Sequence, residues 1–219
     1  MEKGIQTSWN QNAQEWIDIL ASDKIGSRTY TNKAILSVLA ALPGVKILDM
    51  GCGEGWLCRA ITQINKKAVG IDGTVDLLAH AQKKGMEPYY NINYAAICEG
   101  TAIPEAPFDI CTFNFSIYQK DGLIALLKKI KLSLNPKGQI VIQTLHPYFL
   151  IENSYSYESQ WMEDAWKGLP GNFVNGHKWY ARTFEDWATV FSRAKVSITQ
   201  VKEVLNQQQK PISVIFILE

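Results

Sequence analysis

The run Val45–Trp56, Val-Lys-Ile-Leu-Asp-Met-Gly-Cys-Gly-Glu-Gly-Trp, constrains the fold more than any other stretch. A short apolar segment ends in a carboxylate, Asp49, and glycines follow at alternate positions, Gly51, Gly53 and Gly55. Leu57, Ala60, Ile61 and Ile64 then recur on one helical face. The pattern predicts a buried strand, a tight turn and a helix. Glycine at every second position lets the backbone take positive φ and brings a ligand to the main chain with no Cβ in the way. The first helical N–H groups lack intrahelical partners and are expected to face that ligand. A second strand, Ala68–Asp72, ends in another acid about twenty residues on, where an open α/β sheet places a carboxylate that accepts both hydroxyls of a ribose. Strand, glycine loop, helix, strand and acid make a nucleoside-binding half-fold.

The glycine spacing separates the nucleosides. A dinucleotide fingerprint, G-x-G-x-x-G, would need glycine where this chain has Trp56, and the phosphate-loop pattern G-x-x-x-x-G-K-[ST] is absent. Asp49 and Glu54 put negative charge beside the loop, which favours a positively charged ligand over a pyrophosphate. Asp49-Met-Gly51-Cys52-Gly53-Glu-Gly55 resembles the first motif of class I S-adenosylmethionine-dependent methyltransferases. That ligand carries a sulfonium and an ammonium, so charge and resemblance agree. A non-catalytic protein binding S-adenosylmethionine or S-adenosylhomocysteine, and a nicotinamide-dependent oxidoreductase disfavoured by Trp56, are the rival readings.

The rest of the chain follows the same element order. Trp9, Ala13, Trp16, Ile17 and Leu20 predict a helix over 8–20 with Ser8 as N-cap, and a second helix is expected over Thr31–Ala41. A flexible segment carrying Arg28 and Tyr30 lies between them. Trp9 and Trp16 read first as core contacts; the resemblance adds that helices before the first strand often cap cofactor and substrate. Pro88–Ile97 is expected to hold the third strand and its exit turn, Pro107–Phe115 the fourth strand, Gly122–Leu134 a helix, and 134–144 a turn and fifth strand. Lys137 stands where the family's L-x-P-G-G turn has its first glycine. Ser197–Leu205 and Pro211–Leu218 read as a closing hairpin. The fold class implied is α/β: a Rossmann-like three-layer sandwich with a seven-stranded, mostly parallel sheet and a C-terminal antiparallel hairpin. One domain, 1–219, is expected, with cap helices over about 8–41 and an aromatic-rich lid over about 147–181.

The resemblance assigns roles residue by residue. Gly51 and Gly53 would offer main-chain atoms to the methionine part, with Cys52 and Gly55 in the same cofactor-binding loop and Asp49 shaping it and reaching the ammonium. Asp72 would hold the ribose, and a backbone N–H near Gly73 or Thr74 would meet the adenine face or the ribose. Asn93 and Tyr94 stand where the family usually has Asp-Ala, and the Asn93 amide oxygen can accept the adenine amino group without charge. Asn114 and Phe115 lie at the tip of the fourth strand, and Asn114-Phe-Ser-Ile departs from the N-P-P-[YF] signature of enzymes that methylate base amines. Arg28 is a candidate partner for the methionine carboxylate. His146 is the first candidate general base, followed by His177 and Tyr148, because imidazole titrates in the useful range; His146-Pro147 equally suits a plain turn. Trp179, Tyr180 and Arg182 are assigned to the substrate lid, Arg182 holding either an acidic substrate or a structural carboxylate. Methyl transfer from a sulfonium needs no metal, and none is expected.

Composition bounds the partners. A formal net charge of +1 gives no bulk drive toward nucleic acid or membrane, and 47% hydrophobic with 20% charged residues suits a globular core. Four scattered cysteines without a C-x-x-C fit a reduced, cytoplasmic setting. No apolar signal core or membrane-length run is visible. The expected partner is a small-molecule methyl acceptor, with no nucleic acid and no membrane insertion, in a monomer or homodimer. The stretches Thr-Leu-His-Pro and Trp-Tyr-x-Arg-Thr place the resemblance nearest small-molecule enzymes similar to those of ubiquinone biosynthesis.

Overall fold

The computed structural model describes residues 2–219, with side chains from Gly4 onward. Two helices, α1 (Glu2–Ala21) and α2 (Arg28–Ala41), precede β1 (Lys46–Met50), α3 (Trp56–Gln63), β2 (Lys67–Asp72), α4 (Val75–Lys84), β3 (Tyr89–Asn91) and α5 (Tyr94–Glu99). Next come β4 (Phe108–Asn114), α6 (Leu123–Leu132), β5 (Leu134–Leu145), α7 (Tyr148–Glu152), β6 (Gln160–Met162) and β7 (Trp179–Ala181). The chain closes through α8 (Phe184–Ala194), β8 (Ile198–Leu205) and β9 (Pro211–Leu218).

Seven strands form one sheet in the order β3-β2-β1-β4-β5-β9-β8. The first five run parallel, and β9 and β8 pair antiparallel at the far edge, as the sequence pattern implied. Successive strand residues face opposite sides. Ile47 packs under α2, α3 and α4 with Leu39, Leu57 and Ala81, whereas Leu48 and Met50 pack under α5, α6 and α8 with Leu126 and Phe191. Two apolar layers therefore sandwich the sheet, and each fully buried Leu, Ile or Phe among them contributes about 1.5–3 kcal/mol. Strand order reverses between β1 and β4, so the connections leaving those strands diverge and open a crevice at their C-terminal ends.

Three local expectations are revised. Helix α1 begins at Glu2, and Ser8, in its interior, accepts the Trp166 indole N–H at 2.9 Å instead of capping. Arg28 and Tyr30 lie in the first turn of α2, so only 22–27 remain as connection. The third strand is short, because Asn93 caps α5 by accepting the Ala96 N–H at 2.9 Å and turns the chain out of the sheet. Thr183 caps α8 by accepting the Asp186 N–H at 3.3 Å.

Candidate active site

The crevice at the switch point opens into a cavity of about 1150 Å³. Gly51 leaves β1 with φ +72°, and a Cβ there would sit 2.5 Å from Ser116 Cβ, so this crossing needs glycine. Ser116 Oγ donates to Met50 O at 2.6 Å and locks the tips of β1 and β4 together. Gly53 (φ +56°) borders the cavity; Gly55 (φ +79°) does not. A Cβ at Gly55 would meet Tyr89 Oη and Ala81 Cβ, which makes it a packing residue rather than a ligand contact.

The loop's N–H groups are largely engaged within the fold. Gly51 and Cys52 donate to Ile71 O at 2.7 and 3.0 Å, Gly53 to Asp72 Oδ2 at 2.8 Å, Gly55 to Cys52 O at 3.0 Å, and Trp56 to Glu54 Oε1 at 3.2 Å. This revises the expectation of free helical donors: the loop offers a ligand close main-chain approach but not the anion cradle that a pyrophosphate needs.

Asp72 stands at the centre of the wall. Its Oδ1 accepts the Thr74 N–H at 2.7 Å and its Oδ2 the Gly53 N–H at 2.8 Å, and the Thr74 hydroxyl and Gly73 N–H also face the carboxylate. Burial pushes this carboxyl above its usual range, and the backbone donors pull against that shift. Gln6 reaches across from α1 and donates to Thr74 Oγ1 at 3.1 Å, a contact that the polar N-terminal pattern did not signal. Asn93 and Tyr94 border the same end; the Asn93 oxygen is already the α5 cap, so an adenine contact would share it.

Asn114 and Phe115 line the cavity at the tip of β4. The Asn114 Oδ1 is buried and has no hydrogen-bond partner among the described residues, which suits an incoming N–H donor. Phe115 has φ +52°, a left-handed conformation that strains a bulky side chain. Its N–H donates to Gln143 O and its carbonyl accepts the Tyr118 hydroxyl at 2.7 Å, which hold it there. Arg28 also borders the cavity, its guanidinium 4.8 Å from the Trp56 ring centroid.

Other candidates lie elsewhere. Asp49 is 2% exposed beneath the loop, its carboxyl accepting from Cys58 Sγ at 3.6 Å, and it does not border this cavity. His146 is buried outside the cavity: its Nδ1 accepts the Tyr148 N–H at 3.0 Å, so Nε2 carries the proton and donates to Glu203 at 2.8 Å. That pairing latches the end of β5 to β8 and makes His146 the turn residue of the two readings. Tyr148, beginning α7, is likewise outside. Arg182 donates to the Gln119 and Lys120 carbonyls at 3.0 and 2.9 Å and pairs with Asp186 at 3.3 Å. The structural carboxylate, not an acidic substrate, faces it. Tyr180 stacks under that guanidinium, and only Trp179 of the three lid candidates reaches the cavity. His177 is packed behind Trp9 and Tyr118 against Trp166.

The segment 163–178 runs from the β6/β7 hairpin to α1. Asn12 grips Val174 with both amide atoms, at 2.7 and 2.8 Å, and Glu15 accepts the Asn172 N–H at 2.7 Å. Trp166 stacks on Phe173 and meets Trp9 edge-on at 4.7 Å. Trp9 and Trp16 each pack with their neighbours, as core contacts do, and each also borders the cavity. Their spacing of seven in the chain was the available signal. Among the described residues no cluster suits a metal ion, and no helix is long and apolar enough to cross a membrane.

A doubly wound sheet with its crevice at the switch point, lined by a glycine loop and an acid ending the second strand, defines a nucleoside-cofactor α/β protein. The methyltransferase-domain family model matches residues 23–197, and the chain belongs to that family. It is 29% identical over 108 residues to a ubiquinone biosynthesis O-methyltransferase of Rhodopseudomonas palustris, an alignment covering 49% of this chain and 43% of that protein. The chain thus spans less than half the length of the curated relatives it matches in this group. An uncharacterised Haemophilus influenzae protein is 22% identical over 195 residues, 81% of this chain and 74% of that one. Among solved structures, a Mesorhizobium loti S-adenosylmethionine-dependent methyltransferase superposes with TM-score 0.62 at 21% identity, covering 83% of this chain and 95% of that one. Burkholderia thailandensis 1,6-didemethyltoxoflavin-N1-methyltransferase, bound to 1,6-didemethyltoxoflavin and S-adenosylhomocysteine, superposes with TM-score 0.70 at 14% identity, covering 99% and 87%. At these identities the likeness is one of fold.

Proposed function

We propose that this chain transfers a methyl group from S-adenosylmethionine to a small-molecule acceptor. The observation that carries the reading is the meeting of Asp72 with a glycine loop whose amides are turned inward, at one end of a cavity larger than the roughly 300–1,000 Å³ of a single small-ligand site. That size leaves room for an acceptor beside the cofactor. The donor set suits the cofactor: Asp72 for the ribose hydroxyls, Gly51, Cys52 and Gly53 for close approach along the main chain, and Asn93 and Tyr94 for the adenine edge. The orphaned Asn114 oxygen suits an ammonium, and Arg28 a carboxylate. The cofactor supplies an activated methyl on a sulfonium; the protein's part is to align, to exclude water and to hold charge. Residues 147–181, tied to α1 through Asn12, act as the lid, with Trp179, Trp9 and Trp16 closing the acceptor side.

Calorimetry with S-adenosylhomocysteine tests the reading. Saturable micromolar binding, weakened by Asp72→Asn with unchanged far-ultraviolet circular dichroism, is expected. Binding of NADH in preference to S-adenosylhomocysteine would overturn it.

A further inference from the structure

The aromatic part of the cavity wall has its own chemistry. Trp9, Tyr118, Phe149, Trp161 and Trp179 border it, and Glu163 and Asp164, following β6, bring carboxylates to the same wall. Glu163 is paired with Lys178 at 2.8 Å, and Asp164 Oδ1 accepts the Trp166 N–H at 2.9 Å. The cations nearby are placed differently: Arg182 is buried against carbonyls and Asp186, Lys178 is the exposed partner of Glu163, Lys167 borders the cavity from an exposed position, and Arg28 borders it beside Trp56 near the glycine loop. Among the described residues, none of the three histidines borders the cavity. The Tyr118 hydroxyl donates to Phe115 O, and burial pushes that phenol further up, so it keeps its proton.

Flat aromatic walls bind flat ligands by stacking and hold positive charge over their faces. A carboxylate or phosphate stacked among these rings would find Lys167 and Lys178 only at the exposed rim, Lys178 already paired, and Arg28 beside Trp56, so it would lack a buried cation partner of its own, which is costly. A phenol, with its ordinary pKa of about 10, reacts fast at neutral pH only when a base near that range removes its proton, and these walls carry no imidazole. A neutral nitrogen needs no such help, because its lone pair is already free.

We propose that the acceptor is a flat aromatic nitrogen base, stacked among Trp9, Phe149, Trp161 and Trp179 with its polar edge toward Glu163 and Asp164, and methylated on an uncharged nitrogen. The nitrogen lone pair forms the new N–C bond as the C–S bond breaks. The bonding pair stays on sulfur, and the positive charge passes from sulfur to nitrogen. Where that nitrogen carries a hydrogen, its proton leaves to the Asp164 carboxylate or to water. The carboxylates and ring faces thus stabilise the charge that develops on the acceptor.

This inference rests on the methyltransferase reading, and its test separates the two. The protein is first saturated with S-adenosylhomocysteine, then titrated with 4-aminoquinoline, quinoline and quinoline-4-carboxylate while tryptophan fluorescence and heat are followed. Aminoquinoline is expected to bind at least about 10-fold more tightly than the carboxylate, with quinoline between them, and Trp179→Ala to weaken it about 10-fold without changing S-adenosylhomocysteine affinity. Equal or tighter binding of the carboxylate, or no binding of any probe to the loaded protein, overturns the acceptor class. Failure of S-adenosylhomocysteine to bind overturns the underlying reading instead. In cell extract with methyl-labelled cofactor, a label found on oxygen or carbon overturns the nitrogen assignment.

Discussion

Two buried titratable groups, Asp49 and His177, are expected to drive stability in opposite directions with pH. Asp49 is 2% exposed, and burial pushes its carboxyl to about 7, with Asp72 and Glu54 adding repulsion against a weak Cys58 hydrogen bond. His177 is 5% exposed with neither ring nitrogen hydrogen-bonded among the described residues, and burial lowers it to about 4 against the pull of Asp164. Between pH about 4 and 6.5 the folded chain keeps a proton on Asp49 that the unfolded chain has lost, so stability falls by about 1.4 kcal/mol per unit as pH rises. Over the same window the unfolded chain carries a proton on His177 that the folded chain lacks, so stability rises with the same slope. The two nearly cancel. Their totals, roughly 4 kcal/mol for Asp49 and roughly 3 kcal/mol for His177, follow from carrying the carboxyl from its ordinary value to about 7 and the imidazole from its ordinary value to about 4, at about 1.4 kcal/mol per pH unit.

Single variants unmask each term. Relative to the parent, Asp49→Asn is expected to gain stability as pH rises from about 4 to about 7, by up to roughly 4 kcal/mol, and then level off. His177→Gln is expected to lose stability relative to the parent from about pH 4 to 6.5, by up to roughly 3 kcal/mol. In thermal melts that is on the order of 2–4 °C per kcal/mol for a chain of this size. Urea unfolding of the three proteins at half-unit pH steps is the assay, and taking differences removes the titrations they share. A stability difference that stays flat with pH in both variants would refute the buried-charge reasoning.

Other outcomes follow from the geometry. Gly51→Ala forces a left-handed alanine, about 1–2 kcal/mol, and drives its Cβ toward Ser116 Cβ; denaturation should register a loss of at least about 2 kcal/mol, and S-adenosylhomocysteine binding should fall with it. Lys137 has φ +65°, so Lys137→Gly should gain up to about 1 kcal/mol in urea unfolding, where a loss would contradict the strain argument. Asn12→Ala removes both bonds to Val174, and limited proteolysis should cut 163–178 faster while global stability drops by only about 1–2 kcal/mol. Asp109 accepts from the Val45 and Lys46 N–H groups and from Asn135, which hold its carboxyl below the usual range. Its contribution is therefore present above about pH 4 and lost as pH falls through its lowered value; Asp109→Asn should be less stable than the parent at neutral pH, and the gap should close toward pH 2.

Local patterns carried the sheet: each strand core is a short β-branched or apolar run, and the two closing strands are separated by glutamines that cannot pair into the core. The glycine turn and the strand-end acid that border the cavity were legible for the same reason, since positive-φ glycines and strand-end acids depend on neighbours within a few residues. The packing of Gly55 was not legible, because alternate spacing looks the same whether a ligand or the Tyr89 ring occupies the space above it. Asp49 was placed against the ammonium because one-dimensional order does not tell which side of the strand its carboxyl takes. His146 and Arg182 depended on Glu203 and on the carbonyls of 119–120, partners that only the folded chain brings near. The grip of Asn12 on Val174 spans 162 positions and left no trace in the sequence.

The most direct test of the account is calorimetric titration of the protein with S-adenosylhomocysteine, with Asp72→Asn run in parallel. One saturable site of micromolar affinity in the parent, weakened about 10-fold or more in the variant, is the predicted result. A parent that binds no adenosyl ligand, or a variant that binds it as tightly as the parent, would contradict the role given to the glycine loop and its acid.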